Sequence, residues 1–229
     1  MDPILRQIEG GLIVSCQATP GTPLDGPNYM AAMAESAQLG GAVGIRANGK
    51  DDIRAIKQRV SLPVIGILKR RDLGPHVWIT PDLESAEVVA RAGAEIVATD
   101  ATKRPRPSGV GAFREIAAGL KSLHSVLVMA DVSTVEEGLS AAEEGADIVA
   151  TTLSGYTPYS AQQVRPDFDL VRTLALRLTI PVIAEGRYTT PTQVRQALDV
   201  GAFAVVVGQA ITNPLTTTKR FVAALGAKT

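Results

Sequence analysis

The chain has 229 residues, of which 45% are hydrophobic, and its 23 lysines and arginines balance 23 aspartates and glutamates to a formal net charge of zero. That length and apolar content suit one α/β barrel with a large core and exclude a disordered chain, and the balanced charge offers no basic block or face for nucleic acid or anionic lipid. A single cysteine, Cys16, excludes an internal disulfide, and with two histidines in the whole chain no metal centre is expected.

Met1–Gln7 carries Asp2, Pro3 and Arg6 in place of the apolar stretch of a signal peptide, and no apolar run is long enough to cross a bilayer. A soluble, cytoplasmic metabolic protein is the expectation. The first strand-like run is Leu12–Gln17, in which Cys16 reads as a small core residue. The Gly- and Pro-rich stretch Thr19–Pro27 follows as a loop. Ala42–Arg46 and Pro63–Lys69 are the second and third runs. The long segment Arg70–Pro81, with His76 and Trp78, reads equally as a cover over a site or as a packed loop. Asp82–Arg91 then has helical spacing, with Leu83, Ala86, Val89 and Ala90 on one face and Pro81-Asp82 as a start signal. Glu95–Ala101 is the fourth run. Ser125–Asp131 is the fifth, and His124 before it reads as a surface or capping residue. Ser133–Glu144 is the next helix, with a Ser-Thr start and glutamates in its first turn. Asp147–Thr152, Pro181–Glu185, a helix over Thr190–Val200, and Ala204–Gly208 complete the pattern.

None of the eight runs alternates strictly between apolar and polar, as expected of strands covered on both faces of a parallel sheet. Ala92-Gly93-Ala94, Glu144-Gly145-Ala146 and Val200-Gly201-Ala202 each suit a helix stop in the left-handed region before the next strand. Eight strands alternating with helices predict a single (β/α)₈ TIM barrel over residues 1–229. An open doubly wound sheet would call for a Gly-rich dinucleotide loop after the first strand, and Ser15–Pro20 is not one.

In barrels the C-terminal strand ends carry the chemistry. Here they hold Gln17, Arg46, Lys69, Asp100, Asp131, Thr152 and Glu185, followed by Gly208 and Gln209. Lys69 ends an apolar run with Arg46, Arg70 and Arg71 as candidate neighbours. Desolvation and like charge would lower its pKa and free a neutral amine as a base; an ion pair closing the barrel top is the competing reading. Glu185 ends another apolar run, where burial raises a carboxyl towards an acid–base value and a cationic partner lowers it. Arg46 and Asp131 could position substrate or pair with each other, and Asp100 reads as a supporting carboxylate. Gly186 and Gly208 follow the seventh and eighth strands, where barrels commonly bind phosphate through backbone N–H groups, so the site is expected to take a small phosphorylated molecule.

These motifs together resemble the N-acetylmannosamine-6-phosphate 2-epimerase family of sialic-acid catabolism, nearly end to end. The carriers are Gly11–Ala18, Gly44–Ala47, Pro63–Arg70, Ile79–Pro81, Ala98–Thr102, Met129–Ser133, Thr151–Thr157, Ala184–Arg187 and Val207–Thr212. The resemblance implies a TIM barrel that interconverts N-acetylmannosamine 6-phosphate and N-acetylglucosamine 6-phosphate without redox cofactor or metal. It implies Lys69 and Glu185 as catalytic residues, and Gln17, Arg46 and Asp131 as substrate-positioning residues. Thr152 joins these as a substrate contact, and Gly186, Arg187, Gly208 and Gln209 are the expected phosphate-binding set. The chain departs from the family at Asn213, where arginine often follows Ala-Ile-Thr. Asparagine cannot grip phosphate bidentately, which shifts the expected phosphate contacts towards backbone N–H groups and Arg187.

Two other readings of the same residues stay open at this point. A Schiff-base aldolase would use Lys69 as nucleophile and would be trapped by borohydride. A non-catalytic sugar-phosphate binder would be stabilised by ligand without turnover. The expected partner is a small sugar phosphate, with no nucleic acid and no membrane, and a homodimer is the default from base rates.

Overall fold

Valine- and isoleucine-rich runs without polar alternation have no solvent face, so a parallel sheet wrapped by helices is the way to bury them. In the computed structural model, which describes residues 1–74, 76–107 and 111–226, eight such strands close into a barrel. The chain opens with α1 (Pro3–Ile8), β1 (Leu12–Cys16), α2 (Pro27–Leu39), β2 (Gly44–Asn48), α3 (Lys50–Lys57) and β3 (Val64–Ile67). A short hairpin of β4 (Lys69–Arg70) and β5 (Trp78–Ile79) precedes α4 (Leu83–Arg91), β6 (Ile96–Asp100), α5 (Phe113–Leu123) and β7 (Leu127–Asp131). Then come α6 (Val135–Glu143), β8 (Ile148–Ala150), α7 (Phe168–Arg177), β9 (Val182–Glu185), α8 (Pro191–Asp199), β10 (Ala204–Val207), α9 (Gln209–Thr212) and α10 (Pro214–Ala224). Around the barrel the order is β1-β10-β9-β8-β7-β6-β3-β2, and every neighbouring pair is parallel.

The side-chain period of two sorts each strand into an inner and an outer face. Ile13, Ile65, Ile67, Ile96, Ala98, Met129, Ile148, Ala150, Ile183, Ala204 and Val206 form one buried cluster, the barrel interior. Their outward neighbours, such as Val14, Ile45, Val64, Val97, Val128 and Val149, join the helices in a second, larger cluster. Leu5 and Ile8 of α1 belong to the inner cluster, so α1 closes the end of the barrel from which the strands start. Ile79 of the hairpin joins the same cluster from the other end. Within the segment Arg70–Pro81 the end is packed, with Trp78, Ile79, Thr80 and Pro81 buried, whereas Arg71, Asp72, Gly74 and His76 are exposed.

The helix punctuation follows the sequence. The side chains of Asp82, Thr134 and Thr190 accept hydrogen bonds from the N–H groups of Ser85, Glu137 and Gln193, caps worth about 1 kcal/mol each. Gly93, Gly145 and Gly201 have φ of 105°, 106° and 105°, the left-handed stop that only glycine adopts without strain. His124 is the C-cap residue of α5. Boundaries differ from the sequence expectation at several ends. Gln17, Thr152 and Gly208 lie just past their strands, and β2 starts at Gly44 and runs on to Asn48 rather than covering Ala42–Arg46. The largest difference is at the third run. The barrel strand stops at Ile67, and Lys69 stands on the hairpin, paired with Ile79 instead of a barrel neighbour.

Candidate active site

The same alternation that fills the interior with isoleucine lifts polar side chains above it at the strands' C-terminal ends. Ser15 and Gln17, Arg46 and Asn48, Asp131, Thr152 and Glu185 continue the inward faces of their strands. Arg46, fully buried on β2, spans the mouth. Its Nη2 donates to Asp131 Oδ2 at 2.6 Å and its Nη1 to Asp131 Oδ1 at 3.2 Å, a bidentate fork. Nη1 also donates to Glu185 Oε2 at 2.6 Å. Burial alone would pull the guanidinium pKa down, but Asp131 and Glu185 outweigh it and hold Arg46 firmly cationic. The Thr152 hydroxyl lies 2.7 Å from Asp131 Oδ1 and 3.1 Å from Glu185 Oε2. With one proton it can donate to only one of them at a time. Asp131 and Arg46 thus pair with each other, and Glu185 pairs with Arg46 rather than with Lys69 or Arg187.

Lys69 reaches the same mouth from the hairpin, and its Nζ donates to Gln17 Oε1. Gln17 is fixed in turn by its Nε2–H bond to Ser15 Oγ at 2.7 Å. Burial, reinforced by the charge of Arg46, pushes the lysine pKa down to about 8. Arg70, by contrast, is drawn away into ion pairs with Asp72 and Asp82. Burial raises the Glu185 carboxyl; Arg46 opposes this and Asp131 adds to it. A lysine brought down and a glutamate brought up are shifted towards each other, the arrangement that general acid–base work by a pair calls for. Cys16, on the outward face of β1 against the helices, is buried and its thiol is pushed up to about 12 by burial and then by Asp52, so it is an inert core residue.

The expected phosphate-binding residues gather on the adjacent rim. Gly186 has φ 113° and Gly208 is the N-cap of α9, packed close to Ser15. Gln209 is exposed beside it. Arg187, at φ 61°, donates from Nε to Arg165 O at 2.9 Å and from Nη1 to Ser154 O, with its guanidinium carbon 5.5 Å from the Tyr156 ring centre. Two of its nitrogens therefore tie down the chain after β8, and Nη2 makes no hydrogen bond among the described residues. Gly155 is required there: its φ is 78° and a Cβ would come within 2.7 Å of Arg187 Nη1. Asn213 caps α10, accepting from Thr216 N–H at 2.9 Å, a use that an arginine could not serve.

Asp100 stays apart from the Arg46 network. It pairs with Arg104 and accepts from the Thr102 hydroxyl at 2.7 Å, while Arg104 stacks on Trp78 with 4.4 Å from its guanidinium carbon to the ring centre. Sequence reasoning missed Ser15 and Asn48, each one strand period from a residue it did name, so alternation alone would have found them. It also missed Thr80, for which no local pattern gives a signal.

Lys69, Thr152, Glu185, Gly186, Gly208 and Asn213 all line one cavity of about 480 Å³ at this end. A larger one, about 960 Å³, opens at the opposite end beside Met1, Leu5 and Glu9, and none of the ring residues reaches it. No helix among the described residues is long and apolar enough to cross a membrane.

Comparison with known proteins gives the family. Residues 30–227 match a family model described as "Putative N-acetylmannosamine-6-phosphate epimerase". A relative from Caldanaerobacter subterraneus subsp. tengcongensis, named "Putative N-acetylmannosamine-6-phosphate 2-epimerase", is 51% identical over 96% of this chain and 92% of its own length. One from Cutibacterium acnes with the same name is 49% identical over 96% of each. The solved structure of the N-acetylmannosamine-6-phosphate 2-epimerase from Clostridium perfringens superposes with a TM-score of 0.93 at 44% identity, covering 97% of this chain and 96% of that one.

Proposed function

The chain belongs to the N-acetylmannosamine-6-phosphate epimerase family, and from that premise we propose that it interconverts N-acetylmannosamine 6-phosphate and N-acetylglucosamine 6-phosphate. The reaction is an isomerase step of sialic-acid and amino-sugar catabolism, placed in the cytoplasm and carried by one catalytic domain spanning residues 1–229.

The observation that carries the reading is the pair Lys69 and Glu185 on one cavity, with the lysine lowered, the glutamate raised and Arg46 beside both. In the open-chain sugar the C2 hydrogen is α to the C1 aldehyde. Neutral Lys69 takes that proton, the C2–H electron pair moves into a C1–C2 double bond, and O1 gains negative charge. Glu185, in its protonated form, gives its proton to O1, and the Arg46 cation stabilises the charge there. The Lys69 ammonium then gives a proton to the other face of C2 as the enediol turns in the site, O1 hands its proton back to the Glu185 carboxylate, and the epimer forms with both side chains restored. Gln17, Asp131 and Thr152 orient the sugar and the two reacting side chains. Gly186, Arg187 through its open Nη2, Gly208 and Gln209 receive the 6-phosphate.

Proton NMR of N-acetylmannosamine 6-phosphate with the protein in D₂O tests this, because it reports the product and C2–H exchange together. Exchange with appearance of N-acetylglucosamine 6-phosphate is the expected result. Lys69→Ala is expected to slow exchange by about 10²–10⁴-fold. Undiminished exchange in that variant would remove Lys69 from the role of base.

A further inference from the structure

The barrel ladder that should carry the chain up to Lys69 stops short of it. The register between β2 and β3 ends at Asn48 with Ile67, and that between β3 and β6 ends at Gly66 with Val97. Beyond this point two side chains replace the ladder. Asn48 Oδ1 accepts from the Lys69 N–H at 2.8 Å. Thr80 takes both backbone polar groups of the preceding residue: Leu68 N–H donates to Thr80 Oγ1 at 2.9 Å, and Thr80 N–H donates to Leu68 O at 2.8 Å.

Thr80 does this from a strained conformation. Its φ is 46°, which for a β-branched residue is a genuine outlier, and it is fully buried. Such a residue persists only where its surroundings over-determine it. Here they do, because its remaining polar group, the carbonyl, accepts from Thr99 Oγ1 at 2.8 Å. Glycine would hold this φ without strain but has no hydroxyl for Leu68. The presence of threonine is explained if the hydroxyl is what the position is for.

We propose that Thr80 is a positioning residue for Lys69, its hydroxyl and N–H clamping Leu68 so that the ammonium-bearing side chain enters the ring at one fixed point. The proposal rests on the reading of Lys69 as the base. At that point Lys69 faces Gln17 from β1, Arg46 from β2, Asp131 from β7, Glu185 from β9 and Arg71 from its own hairpin. With the clamp loosened, the amine moves off Arg46 and towards water, and less of it is neutral near pH 7.

The test pairs Thr80→Gly, which relieves the backbone and deletes the hydroxyl, with Thr80→Ser, which keeps the hydroxyl. Lys69 is titrated by NMR in ¹³C-lysine-labelled protein, its signal assigned by loss in Lys69→Arg. In Thr80→Gly we expect the Lys69 midpoint to rise from about 8. We expect kcat near neutral pH to fall by about ten- to a hundredfold with KM little changed, the rising limb of the pH profile moving to higher pH. Thr80→Ser is expected to restore both the midpoint and kcat. Should Thr80→Gly fail to fold, Thr80→Asn, which tolerates positive φ but places its acceptor elsewhere, takes its place. An unmoved Lys69 midpoint in the hydroxyl-free variant, or equal losses in it and in Thr80→Ser, would overturn the proposal. The NMR midpoint does not depend on turnover, so retained C2 exchange in Lys69→Ala would defeat the assignment of the base while leaving the clamp to be judged separately.

Discussion

Asp100 on β6 and Asp131 on β7 are register partners, side by side and fully buried, and each is gripped by a buried arginine. The two pairs do different things. Arg104 lies four residues from Asp100 in the loop after the same strand, and Trp78 covers it. That pair is local, and it fastens the hairpin to the barrel top. Arg46 comes from β2 across the mouth, and after satisfying Asp131 it still reaches Glu185. That pair is long-range, and it meets the cavity through Glu185, which lines it. A buried arginine–aspartate pair therefore marks a reactive site only when a further titratable group shares it.

Removing each arginine separates the roles. Arg46→Ala is expected to be the most damaging change: about 10²–10³-fold lower kcat from loss of the charge at O1, and about 3–5 kcal/mol lower stability from stranding Asp131. Steady-state kinetics and urea unfolding read the two losses. Arg104→Ala is expected to lower stability by the same about 3–5 kcal/mol yet keep kcat within about tenfold at temperatures where it is folded, since it touches no reacting group. A larger kcat loss would place Arg104 inside the chemistry and erase the contrast.

Lys69→Met tests whether the arrangement around Arg46 opposes stability. The folded-state lysine titrates at about 8 against its ordinary 10.5, so below pH 8 the fold holds a buried ammonium that the unfolded chain would hold in water. That penalty is complete below pH 8, fades as pH rises and is absent above 10.5. Lys69→Met should therefore raise Tm at pH 7 and lose that advantage at pH 10.5, while activity disappears. A Tm gain independent of pH would point to packing instead. The finest contrast is between the aspartates. Asp131 raises both Glu185 and Lys69, so Asp131→Asn should move both limbs of the kcat/KM profile to lower pH, and Asp100→Asn should move neither.

Much of this was legible in the sequence because two periodicities encode it. Eight valine- and isoleucine-rich runs specified the barrel, and the inward phase of each run placed Gln17, Arg46, Asp131, Thr152 and Glu185 at one mouth. What was not legible depends on contacts between distant segments. The apolar run up to Leu68 looks like one strand, and only the pairing of Lys69 with Ile79 takes the lysine onto a hairpin. The positive φ of Thr80 is imposed by Leu68 and Thr99, and no residue preference announces it. Arg187 and Asn213 stand where a phosphate reader is expected, but carbonyls after β8 and the first turn of α10 also claim them.

The circular order of the strands also bears on how the molecule comes into being. β1 must pair with β10, Leu12 with Val205, across nearly the whole chain, and that contact carries the largest loop-closure entropy in the barrel. Arg46 and Lys69 are synthesised early, whereas Glu185 arrives on β9, next to the strand that seals the ring. During translation the proposed catalytic pair is incomplete until the ring is nearly whole. Closure of the ring by β10 on β1 thus comes after every proposed reacting side chain has been made.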